Sequence, residues 1–384
     1  MPTKRSPARR PTMKDIALRA GVSESAVSFA LNGRPGVSEA TRARVRRVAE
    51  QLGWRPSTAA RALSGEGAAT VGFVLARPAH TLGVDSFFLQ LVSGIQEALA
   101  ERHLGLLFQV AEDVTEECAV YRRWWAEHRV DGVLVADPRA EDPRPGLLDE
   151  LGLPAVVIGG APDVRHPGLA TVWADDAGAM ASVVDELTAL GHRRIVHIAG
   201  LPDLAHTRRR IATLRAEAER RGLTEVRSVT TDYSDAQGAA VTRRVLGDAP
   251  GPTALIYDND VMAVAGVAAA AELGFRVPQD VSVVSWEDSA LCRMVTPRLS
   301  ALSRDSAEFG RTAARELLAL LDGTPARSVG VPVPRLTGRG STGPVPGSGS
   351  AGPPSPTRSS PPVHLEHPHV PARSPRGLRD VDDQ

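Results

Sequence analysis

From Thr70 onward the chain alternates short, unbroken apolar runs with amphipathic stretches, and this alternation restricts the fold of its 384 residues more than any other feature. The runs are Thr70 to Ala76, Gly105 to Val110, Gly132 to Ala136, Ala155 to Ile158, Ile195 to Ala199, Ala254 to Tyr257 and Val281 to Ser285. A strand with one wet face is apolar at every second position, whereas a strand apolar throughout is covered on both faces, as in parallel sheets flanked by helices. Helices are expected from Leu89 to Glu101, Ala177 to Leu190, Thr207 to Arg221, Val261 to Leu273 and Ala307 to Leu321. Strands and helices in alternation predict a doubly wound α/β arrangement. About 270 residues exceed one usual sheet domain and the strands form two series, so two similar lobes with a cleft between them are expected.

Ahead of this body, three short helices are marked by caps and stops. Thr12 precedes Met13-Lys14-Asp15 in the S/T-x-x-[DE] form and caps a helix from Met13 to Ala20, with Ile16, Ala17 and Ala20 on one face and Gly21 as its stop. Ser23 caps a second helix, Glu24 to Leu31, with Val27 and Leu31 inward and Asn32-Gly33 closing it. Ser38 caps a third, whose Val45, Val48, Ala49 and Leu52 form an apolar stripe before Gly53. Two helices joined by Ala20-Gly21-Val22-Ser23 make a helix-turn-helix, whose second helix enters the major groove of DNA. The outward face of that helix carries Glu24, Ser25, Ser28 and Phe29. A helical hairpin without a ligand is the other reading of the same pattern.

Charge separates the two. The net charge is zero, but residues 1 to 65 hold 13 Lys and Arg against 4 Asp and Glu, and residues 66 to 338 hold 27 against 37. A basic head on an acidic body suits a protein whose head alone approaches a polyanion. No apolar run reaches the length of a membrane span, and no signal-peptide core follows Lys4, Arg5, Arg9 and Arg10, so a cytoplasmic location is expected. Cys118 and Cys292 fit a reducing compartment and are read as inert. No metal-ligand spacing, GxxxxGK[ST], GxGxxG after a strand or HExxH is present, so neither cofactor nor catalysis is expected. Trp124-Trp125 is assigned to helix packing. Residues 339 to 384 contain 10 of the 30 prolines and no periodicity, which predicts a disordered tail; His364, His367 and His369 lie there without a scaffold to hold a metal.

The segment TMKDIALRAGVSESAVSFALNGRPGVSEATRARVRRVAEQLGWRPSTAARALSG, Thr12 to Gly65, closely resembles the DNA-binding head and hinge of LacI/GalR-type transcriptional regulators. SFFLQLVSGIQEAL, GHRRIVHIAG, PTALIYDNDVMAVAG and VPQDVSVVSWED are similar to segments of that family's periplasmic-binding-protein-like effector domain. The resemblance implies an α plus α/β chain: a flexible arm over 1–11, a helix-turn-helix domain over 12–55, a hinge helix over 56–66, a two-lobed ligand-binding and dimerisation domain over 67–338, and the tail. It places Glu24 and Ser25 at the base-reading start of the recognition helix with Ser28 beside them, and Asn32, Ser38 and Thr41 on phosphates; Ser23 serves there or as a cap. Phe29 stands where many members carry arginine, which removes a guanine contact and offers packing on a thymine methyl. Pro56 to Gly65 is too short to hold a helix alone. The resemblance implies that it orders on DNA, with Leu63 wedged between base steps.

Ligands of open α/β sheets bind beyond the carboxyl ends of strands. The resemblance assigns Arg208 to gripping the ligand, Tyr233 to stacking on it, and Asn259, Glu287 and Phe87 to the same cleft, with Glu287 where aspartate is usual. Arg208 also fits a solvated helix start, and Tyr233 ordinary packing. An arginine fork, an amide and a carboxylate around an aromatic suit a sugar. The expected function is a dimeric, sugar-responsive repressor of a pseudo-palindromic duplex operator, with a solute-binding sensor lacking DNA as the alternative.

Overall fold

The computed structural model describes residues 11–54, 67–77, 86–160, 166–223 and 225–345. The expected hinge, with Leu63, lies outside them, as do residues 1–10 of the arm and 346–384 of the tail.

The head contains α1 (Met13–Ala20), α2 (Glu24–Leu31) and α3 (Glu39–Gln51). Thr12 caps α1 in a reciprocal box: its Oγ1 accepts from the Asp15 amide, and its own amide donates to Asp15 Oδ2 at 2.7 Å. Gly21 ends the helix at φ 64°, the left-handed conformation that only glycine adopts without strain. Ser23 and Ser38 accept from the Ala26 and Thr41 amides. Ile16, Ala17, Ala20, Val27, Ala30, Val45, Val48 and Ala49 form the core. Leu31, expected inward, packs at its margin, because Ala30 fills the interior position.

The body begins with β1 (Thr70–Ala76), α4 (Ser86–Ala100), β2 (Gly105–Ala111), α5 (Val114–Ala126), β3 (Gly132–Val135), α6 (Arg144–Leu151), β4 (Ala155–Ile158) and β5 (Ala170–Trp173). It continues through α7 (Asp176–Ala189), β6 (Arg194–Ala199), α8 (Ala205–Arg221), β7 (Glu225–Thr230), α9 (Asp235–Leu246), β8 (Ala254–Tyr257), α10 (Asp260–Glu272), β9 (Ser282–Ser285), α11 (Ala290–Met294), β10 (Ser300–Ser303), α12 (Ser306–Leu321), β11 (Ser328–Gly330) and β12 (Arg335–Thr337). The strands make two six-stranded sheets, β11-β5-β4-β3-β1-β2 and β12-β10-β9-β8-β6-β7, parallel except for β12 against β10. Each order reverses once, between β1 and β3 and between β6 and β8, and such a reversal opens a crevice at the strands' carboxyl ends.

Both faces of each sheet are covered, as the unbroken apolar strands require. In the first lobe α4 and α12 bury Phe88, Leu91, Ile95, Phe309 and Leu317 on one face, and α5 and α6 bury Tyr121, Trp124 and Leu148 on the other. Helices α4 and α12 touch backbone to backbone: a Cβ on Gly94 would overlap the Ala307 carbonyl, and one on Gly310 the carbonyl of Leu91. Trp124 lies over Gly72 of β1 while Trp125 stays half exposed, which settles that pair as packing plus surface. Both cysteines are buried and unbridged. Among the described residues no helix is long and apolar enough to cross a membrane.

The chain crosses between lobes after β5, after β10 and after β11. The second lobe also runs past the expected boundary at 338. Ser341 is fully buried and donates to the Val283 carbonyl at 2.6 Å, His192 Nε2 lies 3.0 Å from the Gly343 carbonyl oxygen, and the Val345 amide donates to Leu190 O. These backbone bonds hold a segment whose composition alone suggests no structure.

Candidate functional site

On the head, Glu24 and Ser25 are exposed at the start of α2, Ser28 is half buried one turn on, and Phe29 keeps 38 % of its surface exposed beside Gly36. Ser23 Oγ lies 2.9 Å from Ser25 Oγ while accepting from the Ala26 amide, so the capping hydroxyl and that of Ser25 form one pair at the start of α2. Ser38 Oγ and Thr41 Oγ1 are 3.0 Å apart at the start of α3, and Asn32 Nδ2 reaches Ser28 Oγ at 3.4 Å. The α3 arginines Arg44, Arg46 and Arg47 are exposed, next to α2.

The cleft lies at the two strand-order reversals, and the strand ends supply its charged groups. Arg77 follows β1 and Asp137 follows β3 in the first lobe; Asp258 and Asn259 follow β8, and His206 opens α8 after β6, in the second. Arg77 donates to Asp137 through Nε at 2.5 Å and Nη2 at 3.0 Å. Arg210, on α8, donates from Nη1 to Asp258 Oδ1 at 3.0 Å and from Nε and Nη2 to Asp176 Oδ1 at 3.2 Å. Asp258 also accepts from His197 Nε2 and from the Gly200 amide. Burial is the largest single influence and raises each carboxyl pKa, but the sum of the opposing groups exceeds it, so Asp258, Asp176 and Asp137 are all held below the ordinary carboxylate range. Those groups are Arg210 with the hydrogen bonds from His197 and the Gly200 amide at Asp258, Arg210 with Arg209 at Asp176, and Arg77 with Arg144 at Asp137. Burial and the neighbouring Arg210 push His206 down to about 4, leaving a neutral ring.

Tyr233 lines the cleft from the second lobe. It sits at φ 70°, in the left-handed region where a side chain is strained, and Asn259 holds it there by donating from Nδ2 to the Tyr233 carbonyl at 3.0 Å. Asn259 Oδ1 caps α10 at Met262, so this amide is occupied on both sides by protein. The Tyr233 hydroxyl meets His206 Nε2 at 2.9 Å, and its ring crosses Gly200, where any Cβ would overlap it. Glu287 accepts from Arg304 at 3.0 Å, and Arg304 stacks on Phe87 at 4.2 Å.

Phe87, Tyr233, Asn259 and Glu287 therefore line one cleft, with Phe87 in the first turn of α4. Arg208 does not join them. Its side chain is 55 % exposed, donates to the Pro202 carbonyl and pairs with Asp203. Two residues on, a rotation of roughly 200° along the helix, Arg210 points inward, so the inward arginine of the Arg208-Arg209-Arg210 run is its last. Arg77, Asp137, Asp176, His206, Arg210, Asp258 and Arg304 were not singled out from sequence. For Arg77, Asp137 and Asp258 the available signal was a charged residue immediately after a β-run, at a strand's carboxyl end.

The lobes also touch at the rim. The Ala205 amide donates to Pro138 O at 2.8 Å, the Ala140 amide to Asp203 O at 3.2 Å, and Arg209 Nη2 to Gly159 O at 2.8 Å. No group of metal-ligating side chains able to hold an ion occurs among the described residues.

The sequence model of bacterial regulatory proteins of the lacI family matches residues 12–57, and that of a periplasmic-binding-protein-like domain matches residues 184–342. The HTH-type transcriptional regulator CelR of Thermobifida fusca is 31 % identical over 317 residues, covering 82 % of this chain and 93 % of the relative. The crystal structure of a LacI family transcriptional regulator from Bifidobacterium animalis subsp. lactis is 35 % identical, covers 72 % of this chain and 98 % of that one, and superposes with a TM-score of 0.65. A CelR–cellobiose complex, 29 % identical, covers 86 % of this chain and all of its own, with a TM-score of 0.66. A helix-turn-helix head ahead of two doubly wound lobes, matched in order by relatives over nearly their whole length, places the chain in the LacI family of bacterial transcriptional regulators.

Proposed function

We propose that this regulator represses transcription as a homodimer on a pseudo-palindromic operator, and that an uncharged sugar in the interlobe cleft sets its affinity for DNA. Glu24 and Ser25 read base edges, Ser28 and Phe29 contact the groove, and Asn32, Ser38 and Thr41 meet phosphates. Thr12 and Ser23 complete the phosphate-facing helix starts, and the Leu63 segment inserts in the minor groove. One head offers a small surface, so two heads on adjacent half-sites supply specificity together.

The observation that carries the reading is the clamp on Arg210. Three of its five N–H groups go to Asp176 and Asp258, leaving two without a protein acceptor among the described residues. A guanidinium edge with two spare donors, beside carboxylates and an aromatic platform, suits neighbouring hydroxyls. A cellobiose-bound relative of the same architecture supports a saccharide.

The test is operator binding by fluorescence anisotropy with the full-length protein and a panel of neutral mono- and disaccharides and nucleosides. At least one saccharide is expected to shift operator affinity about tenfold or more. No shift from any saccharide, with a shift from a nucleoside, would replace the sugar by a base-containing ligand.

A further inference from the structure

We infer that Arg144 is a positioning residue of the effector cleft: buried outside it, this side chain holds the 136–142 loop in the shape that turns Asp137 toward Arg77 and lends two backbone groups to the second lobe. The inference rests on the effector-cleft reading above. It concerns what keeps that cleft assembled before a ligand arrives.

Arg144 is 1 % exposed, opens α6 and is no part of the cleft wall. Protein acceptors take all of its N–H groups. Nε donates to Asp142 Oδ1 at 2.9 Å, and Nη2 donates to Asp142 Oδ2 at 2.7 Å and to the Asp137 carbonyl at 2.8 Å. Nη1 donates to Glu117 Oε1 and to the Ala136 carbonyl, both at 2.9 Å. A guanidinium with no donor to spare does not grip a ligand, so its effect on the cleft passes through the loop.

Two of these bonds reach main-chain carbonyls just past the end of β3, where the chain leaves the sheet and turns. Asp137 makes the turn at φ 52°, in the left-handed region that a residue with a side chain occupies only when its surroundings impose it. Asp142 ties the far end of the loop, accepting from the Arg139 amide at 3.1 Å and the Arg144 amide at 3.0 Å. A buried ion pair often adds no net stability over apolar side chains of the same size, so what Arg144 supplies is a defined loop.

The loop so held serves both lobes. In the first, the Asp137 carboxylate accepts from Arg77 Nε and Nη2 at 2.5 and 3.0 Å. The next residues cross to the second: the Ala205 amide donates to Pro138 O at 2.8 Å and the Ala140 amide to Asp203 O at 3.2 Å, an antiparallel bridge of Arg139 with Leu204. Leu204 caps α8 without a side-chain hydrogen bond, so a carbonyl of the first lobe satisfies one of the donors that a helix start leaves over. His206 and Arg210, both facing the cleft, stand on that same helix. A change at Arg144 therefore reaches Asp137 on one side of the cleft and the start of α8 on the other.

Hydrogen exchange and calorimetry on the full-length protein test this with three variants. Arg144→Lys keeps a cation for Glu117 and loses the fork. Asp142→Asn is milder: it leaves Arg144 in place and withdraws one acceptor oxygen from Arg144 and from the Arg139 amide. Glu117→Gln removes the charge behind the fork and leaves the loop bonds, which makes it the control for stability alone. Without ligand, exchange in peptides spanning 138–142 and 203–207 is expected to quicken about threefold or more in Arg144→Lys and Asp142→Asn, relative to β9. In Glu117→Gln it is expected to keep the wild-type rate even though the melting temperature falls. Any of cellobiose, maltose and glucose that binds the wild type is expected to bind the two loop variants about tenfold more weakly, and Glu117→Gln within about threefold of wild type. Unchanged exchange at 203–207 in both loop variants, or equal effects in Glu117→Gln, overturns the inference and leaves Arg144 an ion pair that stabilises the first lobe. If Arg144→Lys does not fold, Asp142→Asn decides alone. If none of the three sugars binds the wild type, the sugar reading fails, while exchange at 203–207 still decides the role of Arg144.

Discussion

Arg210 Cζ stands 4.1 Å from the centroid of the Trp286 indole, and its N–H groups reach Asp176 and Asp258, so one guanidinium joins α8, α7, and the ends of β8 and β9. The indole covers it, and three hydrogen bonds to two carboxylates on different elements fix its orientation. A cation so oriented has no freedom left to lose when a ligand arrives, which is how rigid sites gain affinity.

Replacing Arg210 by Met is expected to abolish the saccharide response and to cost about 3 kcal/mol of stability, because two buried carboxylates lose the cation they share, Asp176 keeping only Arg209 and Asp258 only His197 and the Gly200 amide. Arg208→Ala, two positions earlier and exposed, is expected to change stability by no more than about 0.5 kcal/mol and to leave the response intact. Urea denaturation and calorimetry on the pair check both. Equal effects would show that the inward and outward arginines are wrongly assigned.

Acid should weaken the folded protein before its carboxylates titrate. His206 is pushed down to about 4 from its ordinary 6.5, so the unfolded chain binds the proton first. Stability is complete above about pH 6.5 and declines as the pH falls toward 4, by at most about 3 kcal/mol from this residue. The lowered carboxylates Asp137, Asp176 and Asp258 add a further loss below that window, as each is protonated more readily unfolded. Melting curves of wild type and His206→Gln from pH 7.5 to 4 check the first part; the variant should show the shallower decline.

Gly200 has the ring of Tyr233 directly over it. Gly200→Ala is expected to push that ring aside and to cut effector affinity by tenfold or more, while operator affinity in the absence of effector stays within threefold. Parallel calorimetry and anisotropy titrations check the split.

On the head, Glu24→Ala and Ser25→Ala are each expected to relax preference at one base pair, at about 1–3 kcal/mol of discrimination. Ser38→Ala should weaken all duplexes alike and remove a cap that contributes about 1 kcal/mol. Binding to a library of half-site variants checks the contrast.

Most of the architecture was legible because buried parallel strands leave unbroken apolar runs. Strands β5 and β10, four residues each, and helices such as α5 were given no range, and the remaining strands that escaped were short or wet. Strand β7, EVRSVT, is a half-exposed sheet edge whose polar residues break the run, and β11 and β12 are three residues each. Residues 339–345 looked like tail because backbone bonds and the buried Ser341 hydroxyl, rather than an apolar pattern, hold them. The structure brings Tyr233, Asn259, Glu287 and Phe87 together at one cleft, and leaves Arg208 outside it. Arg208 was chosen over Arg210 because three consecutive arginines carry no sign of which one faces inward until the helix start is placed at Ala205. Arg77 and Asp137 were missed because their partnership joins residues 60 positions apart.

The most direct test of the coupling between head and cleft is reciprocal linkage, measured on one preparation: operator affinity with and without saturating saccharide, and saccharide affinity with and without saturating operator. Two sites linked through one protein must show the same factor both ways, expected to be about tenfold or more. A factor of one in either direction, with both ligands demonstrably bound, would contradict a cleft that governs DNA binding.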